Sequence, residues 1–153
     1  MTVKISIEVV QPRKLAAVRR RVRVPEIATS WKPALDKVWE FLRTHPGLRT
    51  DGHNIFLYHH PQNRESAMDI DFGVEVSRPF VPEGEIITAE TPGGEVAAAV
   101  HVGPYEQLGK THDAIQAWAA GKKLTFAGKS WEVYGDPTND PAKLETRIEY
   151  LLS

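Results

Sequence analysis

"AGKSWEVYGDP", Ala127 to Pro137, decides how this chain is read. Trp131 and Val133 alternate with Ser130, Glu132 and Tyr134, which predicts a short β-strand carrying a carboxylate on one face. A similar stretch, "GHNIFLYHHP", begins at Gly52. Gly52, Tyr58 and Pro61 match Gly128, Tyr134 and Pro137 without a gap, 76 positions apart in each case.

Working outward, the order of predicted elements is also written twice. Val3, Ile5, Ile7 and Val9 alternate with polar residues as a strand with one buried face, and "RKLAAVRRRVRV" reads as a second strand. Ser30 can cap a helix reaching about Arg43, with Trp31, Leu35, Val38 and Leu42 at helical spacing. "HNIFLYHHP" and "MDIDFGVEV" follow as strands, and the Pro-rich "RPFVPEGE" connects the halves. "EIITAE" and "EVAAAVHV" then repeat the hairpin, and Ala98-Ala99-Val100 resembles Ala16-Ala17-Val18. "GPYEQLGKTHDAIQAWAAG" repeats the helix, with Pro104 near its first turn and Tyr105, Leu108, His112 and Ile115 on the inward face. "KSWEVYGDP" and "LETRIEYLL" close the set. The fold expected is α+β: two ββαββ units, about 1–80 and 81–153 of a single 1–153 domain, with antiparallel sheets and both helices on one side.

Strand alternation then places the carboxylate. The all-apolar pairs, Trp131 with Val133 and Ile55 with Leu57, are expected to pack under the helices. Phe56, Tyr58, Glu132 and Tyr134 are expected on the opposite face, the helices lying behind the sheet. Two tyrosines, a phenylalanine and a carboxylate suit a pocket wall better than a solvated surface. An ionised carboxylate buried there needs a partner, costs several kcal/mol without one, or goes neutral. Aromatic rings favour a guest cation by roughly 0.5–2 kcal/mol per contact. Two plainer readings stand beside this one: Arg147 pairs with Glu132 across the sheet, or Glu132 faces water.

Composition narrows the classes. The 153 residues carry 19 basic and 20 acidic side chains, for a net charge of −1, so no global field favours nucleic acid or an anionic membrane. The absence of cysteine excludes disulfides and thiol chemistry. No apolar run reaches membrane-spanning length, and "MTVKISIEVV" alternates, unlike a signal sequence; a cytoplasmic location is expected.

"AVHVGPYEQLGKTHDAIQAW", "GKSWEVYGDP" and "LETRIEYLL", in this order, resemble the GyrI-like small-molecule-binding family, the effector-binding domain of AraC-type and MerR-type regulators. The likeness is best from about Val96 to Leu152. It implies a pocket between two duplicated halves, with Glu132 at its floor where relatives contact lipophilic cations. Family pockets vary in their first-half aromatics, so Phe56, Tyr58 and Phe72 come from the strand reading; with Tyr134, Tyr105, Trp131 and Tyr150 they complete the candidate ligand-binding residues. Trp39 is a poorer candidate, because the helices are expected behind the sheet. Some relatives hydrolyse cyclopropane-bearing toxins, which would make Glu132 a general base with Tyr134 or Tyr150 as proton donor. Others modulate gyrase. The expected partner is a small hydrophobic or cationic molecule, with no cofactor, metal, membrane or direct nucleic-acid contact; a gyrase or regulator partner has no support in the residues. The chain opens directly on its first strand, so a complete helix-turn-helix regulator is not expected.

The remaining signals read as structural. His59 and His60 face opposite sides of a strand and cannot easily share an ion. His101 braces the turn that follows it, and His112 reads as a satisfied core histidine. Arg19, Arg21 and Arg23 form a solvated stripe without the aromatic interleaving of a nucleic-acid surface.

Overall fold

The computed structural model describes residues 3–48, 53–61, 67–136 and 138–153. Of the matched repeat positions, Gly52 and Pro137 lie outside the described residues. In chain order the elements are β1 (Ile5–Val10), β2 (Lys14–Val22), α1 (Ile27–Arg43), β3 (Asn54–His59), β4 (Met68–Glu75), β5 (Ile86–Glu90), β6 (Gly94–Val102), α2 (Leu108–Gly121), β7 (Phe126–Tyr134) and β8 (Glu145–Leu152). A short 3-10 turn precedes each helix, Val24–Glu26 before α1 and Tyr105–Gln107 before α2.

The strands form one antiparallel sheet in the order β1-β6-β8-β7-β3-β4-β2-β5. Exchanging each strand with its counterpart in the other half (β1 with β5, β2 with β6, β3 with β7, β4 with β8) returns the same order reversed. The sheet therefore carries a pseudo-two-fold relation, and the duplication read from sequence is a duplication in space. Each half donates its first strand to the other: β1 pairs with β6, and β5 with β2.

The two halves join along β3 and β7, where Phe56 stands opposite Glu132 and Tyr58 opposite Ser130. Phe56 and Glu132 are also 76 positions apart, the interval that relates Tyr58 to Tyr134. They are thus equivalent residues that face each other, and the pseudo-axis passes between them.

Sharing a register row fixes sharing a face. Phe56, Tyr58, Phe72 and Ile70 pack with Ala34, Leu35, Val38, Phe41 and Leu42 of α1. Ile148, Tyr150, Ala97 and Ala99 pack with Ile115 of α2. Since Phe56, Glu132 and Ile148 lie in one row, both helices cover the face that holds Glu132. This corrects the expected assignment of faces: the aromatic-carboxylate face lies under the helices, and Ile55, Leu57, Trp131 and Val133 lie on the other.

That other face is buried all the same, in one cluster with Leu15, Ala17, Val96 and Ala98. No described helix covers it. Strands as distant in the order as β2 and β6 meet there around Trp131, so the sheet itself curves to exclude water. Alternation in sequence showed two apolar faces and could not say which one a helix would take.

Local expectations shift in three places. Helix α1 starts three residues before Ser30, which sits inside it, and Pro33 lies within the helix. β1 is an edge strand, so Ile7 and Val9 remain exposed although their alternation reads as a buried face. The 3-10 turns and helix starts of the two halves are 81 positions apart (Val24 to Tyr105, Ile27 to Leu108). The matched alanine run is therefore one residue out of register. Ala16 and Val18 share the helix-covered face with Ala97 and Ala99, while Ala98 faces away.

Candidate functional site

Glu132 is 4% exposed and sits in the C-terminal half of β7. Tyr58, from the neighbouring β3, donates its hydroxyl to Oε1 at 2.5 Å, and Tyr134, two residues along β7, donates to the same oxygen at 2.6 Å. These tyrosines are the repeat-related pair, so they approach the on-axis carboxylate from its two sides. The other oxygen, Oε2, is 2.6 Å from Nε2 of His112 on α2. A carboxylate only accepts, so that imidazole nitrogen carries a proton. Nδ1 of His112 is 2.6 Å from the Tyr150 hydroxyl, which Gln116 reaches at 3.4 Å. A polar chain thus runs from β3 through Glu132 and His112 to β8.

Electrostatics follow from these contacts. Burial pushes the Glu132 carboxyl up, but the His112 imidazole and the hydroxyls of Tyr134 and Tyr58 together hold it below the ordinary carboxylate range. Burial, then the nearby Glu132 charge, raises Tyr58 and Tyr134 well above a normal phenol. Tyr150 is raised as well, chiefly by burial. The carboxylate is ionised and the tyrosines are neutral donors at neutral pH.

Rings complete the site. Trp31 of α1 meets Phe56 at 6.3 Å between centroids, Phe56 meets Tyr134 edge-on at 4.8 Å, and Tyr105 before α2 meets Tyr134 edge-on at 5.5 Å. Trp31 and Tyr105, at opposite ends of this arc, are 37% and 43% exposed, whereas Phe56 is buried. Phe72, fully buried, backs Phe56 edge-on at 4.8 Å.

The structure thus brings together Glu132, Tyr134, Tyr58, Phe56, Tyr105 and Tyr150, with Phe72 behind them. Trp131 is not among them: it lies on the other face, where its Nε1 donates to the buried Glu149 at 2.5 Å. Arg147, the internal partner weighed for Glu132, is on that face too, bonded to Glu149 and Glu8. The weighed pairing of Arg147 with Glu132 is therefore corrected: the internal group that reaches the carboxylate is the His112 imidazole.

His112 and Trp31 are the positions of the candidate site that strand reasoning passed over. They are 81 positions apart, the interval between the two helix starts, and so occupy equivalent places on α2 and α1. Each helix sends one ring to the axis residue of its own half: Trp31 to Phe56, His112 to Glu132. The signal was available in the helix alignment, and the one-residue slip in the alanine run hid it.

His101 behaves as expected, with Nδ1 at 2.7 Å from Thr111 and Nε2 at 3.0 Å from the Pro104 carbonyl, pinning the turn to α2. His59 and His60 face opposite sides, one bonded to Asp71 and the other to Ser130. Arg19 and Arg21 pair with Asp71 and Asp69, so the basic stripe is largely neutralised.

This architecture and this sequence have known relatives. The family model of the GyrI-like small molecule binding domain matches residues 3–152. The chain belongs to the GyrI-like family. Among solved structures, this GyrI-like chain superposes on the EcmrR C-terminal domain with a TM-score of 0.82 at 21% identity, covering 100% of this chain and 99% of that one. SAV2435, solved bound to tetraphenylphosphonium, gives 0.72 at 9% identity, with 98% and 94% covered. A hydrolase from Listeria innocua gives 0.58 at 14% identity, with 98% and 92% covered. At these identities the likeness concerns the fold. No curated protein matches the GyrI-like chain by sequence. No helix among its described residues is long and apolar enough to cross a membrane.

Proposed function

We propose that this GyrI-like domain binds lipophilic aromatic molecules, cations foremost, and serves in sensing or sequestering toxic compounds. The observation that carries the reading is a single buried carboxylate on the pseudo-axis, beneath an arc of four rings whose two ends are exposed. Rings supply dispersion and quadrupole attraction, and the carboxylate supplies the charge that selects a cation in a low-dielectric setting. The fold shared with a tetraphenylphosphonium-bound protein is consistent with this choice of guest. Ligand-dependent melting with tetraphenylphosphonium and other lipophilic cations tests it. The expected result is a saturable rise in melting temperature that is lost in Glu132→Gln and reduced in Trp31→Ala. An equal rise in Glu132→Gln removes the carboxylate from the reading.

The hydrolytic alternative needs Glu132 to accept a proton from water. Three hydrogen bonds already hold this carboxylate in its ionised form, which makes it a weak base. Binding is the reading these contacts favour. Product analysis with a cyclopropane-bearing electrophile separates the two: turnover decides for hydrolysis, stoichiometric retention for binding.

A further inference from the structure

Two positive charges can compete for Glu132: one on a guest and one on His112. The imidazole spans 2.6 Å contacts to Glu132 Oε2 through Nε2 and to the Tyr150 hydroxyl through Nδ1. Both of its protonation states are accommodated without moving the ring. When neutral, His112 donates from Nε2 to the carboxylate and accepts the Tyr150 hydroxyl proton at Nδ1. When protonated, it donates from both nitrogens, and Tyr150 turns its oxygen lone pair toward Nδ1.

We propose that His112 is the specificity-determining residue of the site, an internal counter-cation that exchanges its proton for a cationic guest. The proposal rests on the binding reading above and deepens it. With His112 protonated, the Glu132–His112 pair is neutral and the ring-lined site suits an uncharged aromatic molecule. With His112 neutral, the carboxylate presents its full charge to a cation. One proton, released to solvent, switches the charge class the site accepts. The repeat supports this from a second direction. The equivalent place in the first half carries Trp31 over Phe56, an apolar pair that contributes shape without charge, so the exchangeable proton belongs to one half only.

The groups facing His112 all bear on the exchange. From β7 comes Glu132, with Tyr134 and Ser130 beside it; from β8, Tyr150; from β3, Tyr58, with His60 next along the chain. Its own helix adds Gln116, bonded to Tyr150, and the exposed Asp113. His60 is the second imidazole near the site: its ring stacks on Tyr150 at 5.8 Å between centroids, and burial lowers its pKa, with His112 contributing. It is therefore the necessary control.

Isothermal titration calorimetry on the whole chain tests the exchange, using tetraphenylphosphonium as a permanent cation and triphenylphosphine oxide as a neutral counterpart. Each titration is run in phosphate and in imidazole buffer. The phosphonium is expected to release a proton, read as a binding enthalpy that depends on the buffer, and the oxide to release none. Phosphonium affinity is expected to rise with pH, by up to about tenfold per unit wherever one proton is released on binding. His112→Gln and His112→Asn should abolish both the release and the pH slope, while His60→Asn keeps them. Phosphonium binding with buffer-independent enthalpy in the unmodified chain overturns the exchange and leaves the binding reading standing. Unchanged release in both His112 variants overturns the assignment to His112. Binding of neither probe removes the binding reading, and the exchange with it.

Discussion

Glu132 holds three hydrogen bonds at the centre of the candidate site, and these contacts set measurable consequences. In the fold the carboxyl is held below its ordinary range, so the folded state binds fewer protons than the unfolded one in mild acid. The stability it contributes is full above the ordinary carboxylate pKa and is lost as pH falls toward the depressed folded value. Chemical denaturation across that range should show a shallower acid limb in Glu132→Gln than in the parent. Tyr58 and Tyr134 act at the other end of the scale. Their pKa values are raised, so their contribution is intact below about pH 10 and declines as the unfolded tyrosines ionise. Tyr58→Phe removes a buried hydrogen bond to a charged group, and a loss of about 1.5–3 kcal/mol is expected in urea denaturation. The same variant should flatten the alkaline limb.

Among the elements, strands β2 and β4 are held closer than side chains normally allow. A Cβ on Gly73 of β4 would lie 2.9 Å from the Ala16 carbonyl oxygen and 3.1 Å from the Ala17 Cβ of β2, both unable to swing aside. Gly73→Ala should therefore cost about 1–3 kcal/mol, seen as a lower denaturation midpoint with the same slope. The helices divide their labour differently. Helix α1 buries Ala34, Leu35, Val38, Phe41 and Leu42 and leaves Trp31 half out at the rim. Trp31→Ala is expected to weaken binding of an aromatic cation and also to lower the melting temperature of the free protein, because a ring only 37% exposed gives up buried apolar surface against Phe56. Sequence periodicity found this helix and most of its inward face. It misjudged the start because a 3-10 turn, not Ser30, leads into the helix.

At the scale of the whole molecule, duplication accounts for both the sheet and the site. Palindromic strand order places β3 beside β7, and the axis between them turns two equivalent positions into neighbours. In a symmetric ancestor those positions would be alike; here one is Phe56 and the other Glu132. Two carboxylates at this seam would repel each other in a low-dielectric site, so the divergence supplies one charge without that cost. Restoring symmetry tests the point: Phe56→Glu should lower the melting temperature by several degrees at neutral pH and recover part of the loss in mild acid, where one carboxyl can be protonated. The exchange of first strands adds a second expectation. Because β1 completes the half that holds α2, deletion of residues 1–10 should bare the β6 edge and lower hydrogen-exchange protection in β6 and β8, with β2 and β4 less affected.

Local pattern alone determined the element order, the duplication, and the presence of a carboxylate among rings on one face of a central strand. Those features are written in period-two alternation, helical spacing and the 76-residue echo of Tyr58 in Tyr134, all of which are near-neighbour properties. Which face the helices cover was decided by tertiary structure, because both faces of the central strands are apolar enough to be buried and the curl of the sheet fills the second without a helix. The partner of Glu132 was likewise a tertiary matter. His112 lies 20 residues from Glu132 in the chain and on another element, and only the packing of α2 over the sheet brings the imidazole within 2.6 Å of the carboxylate.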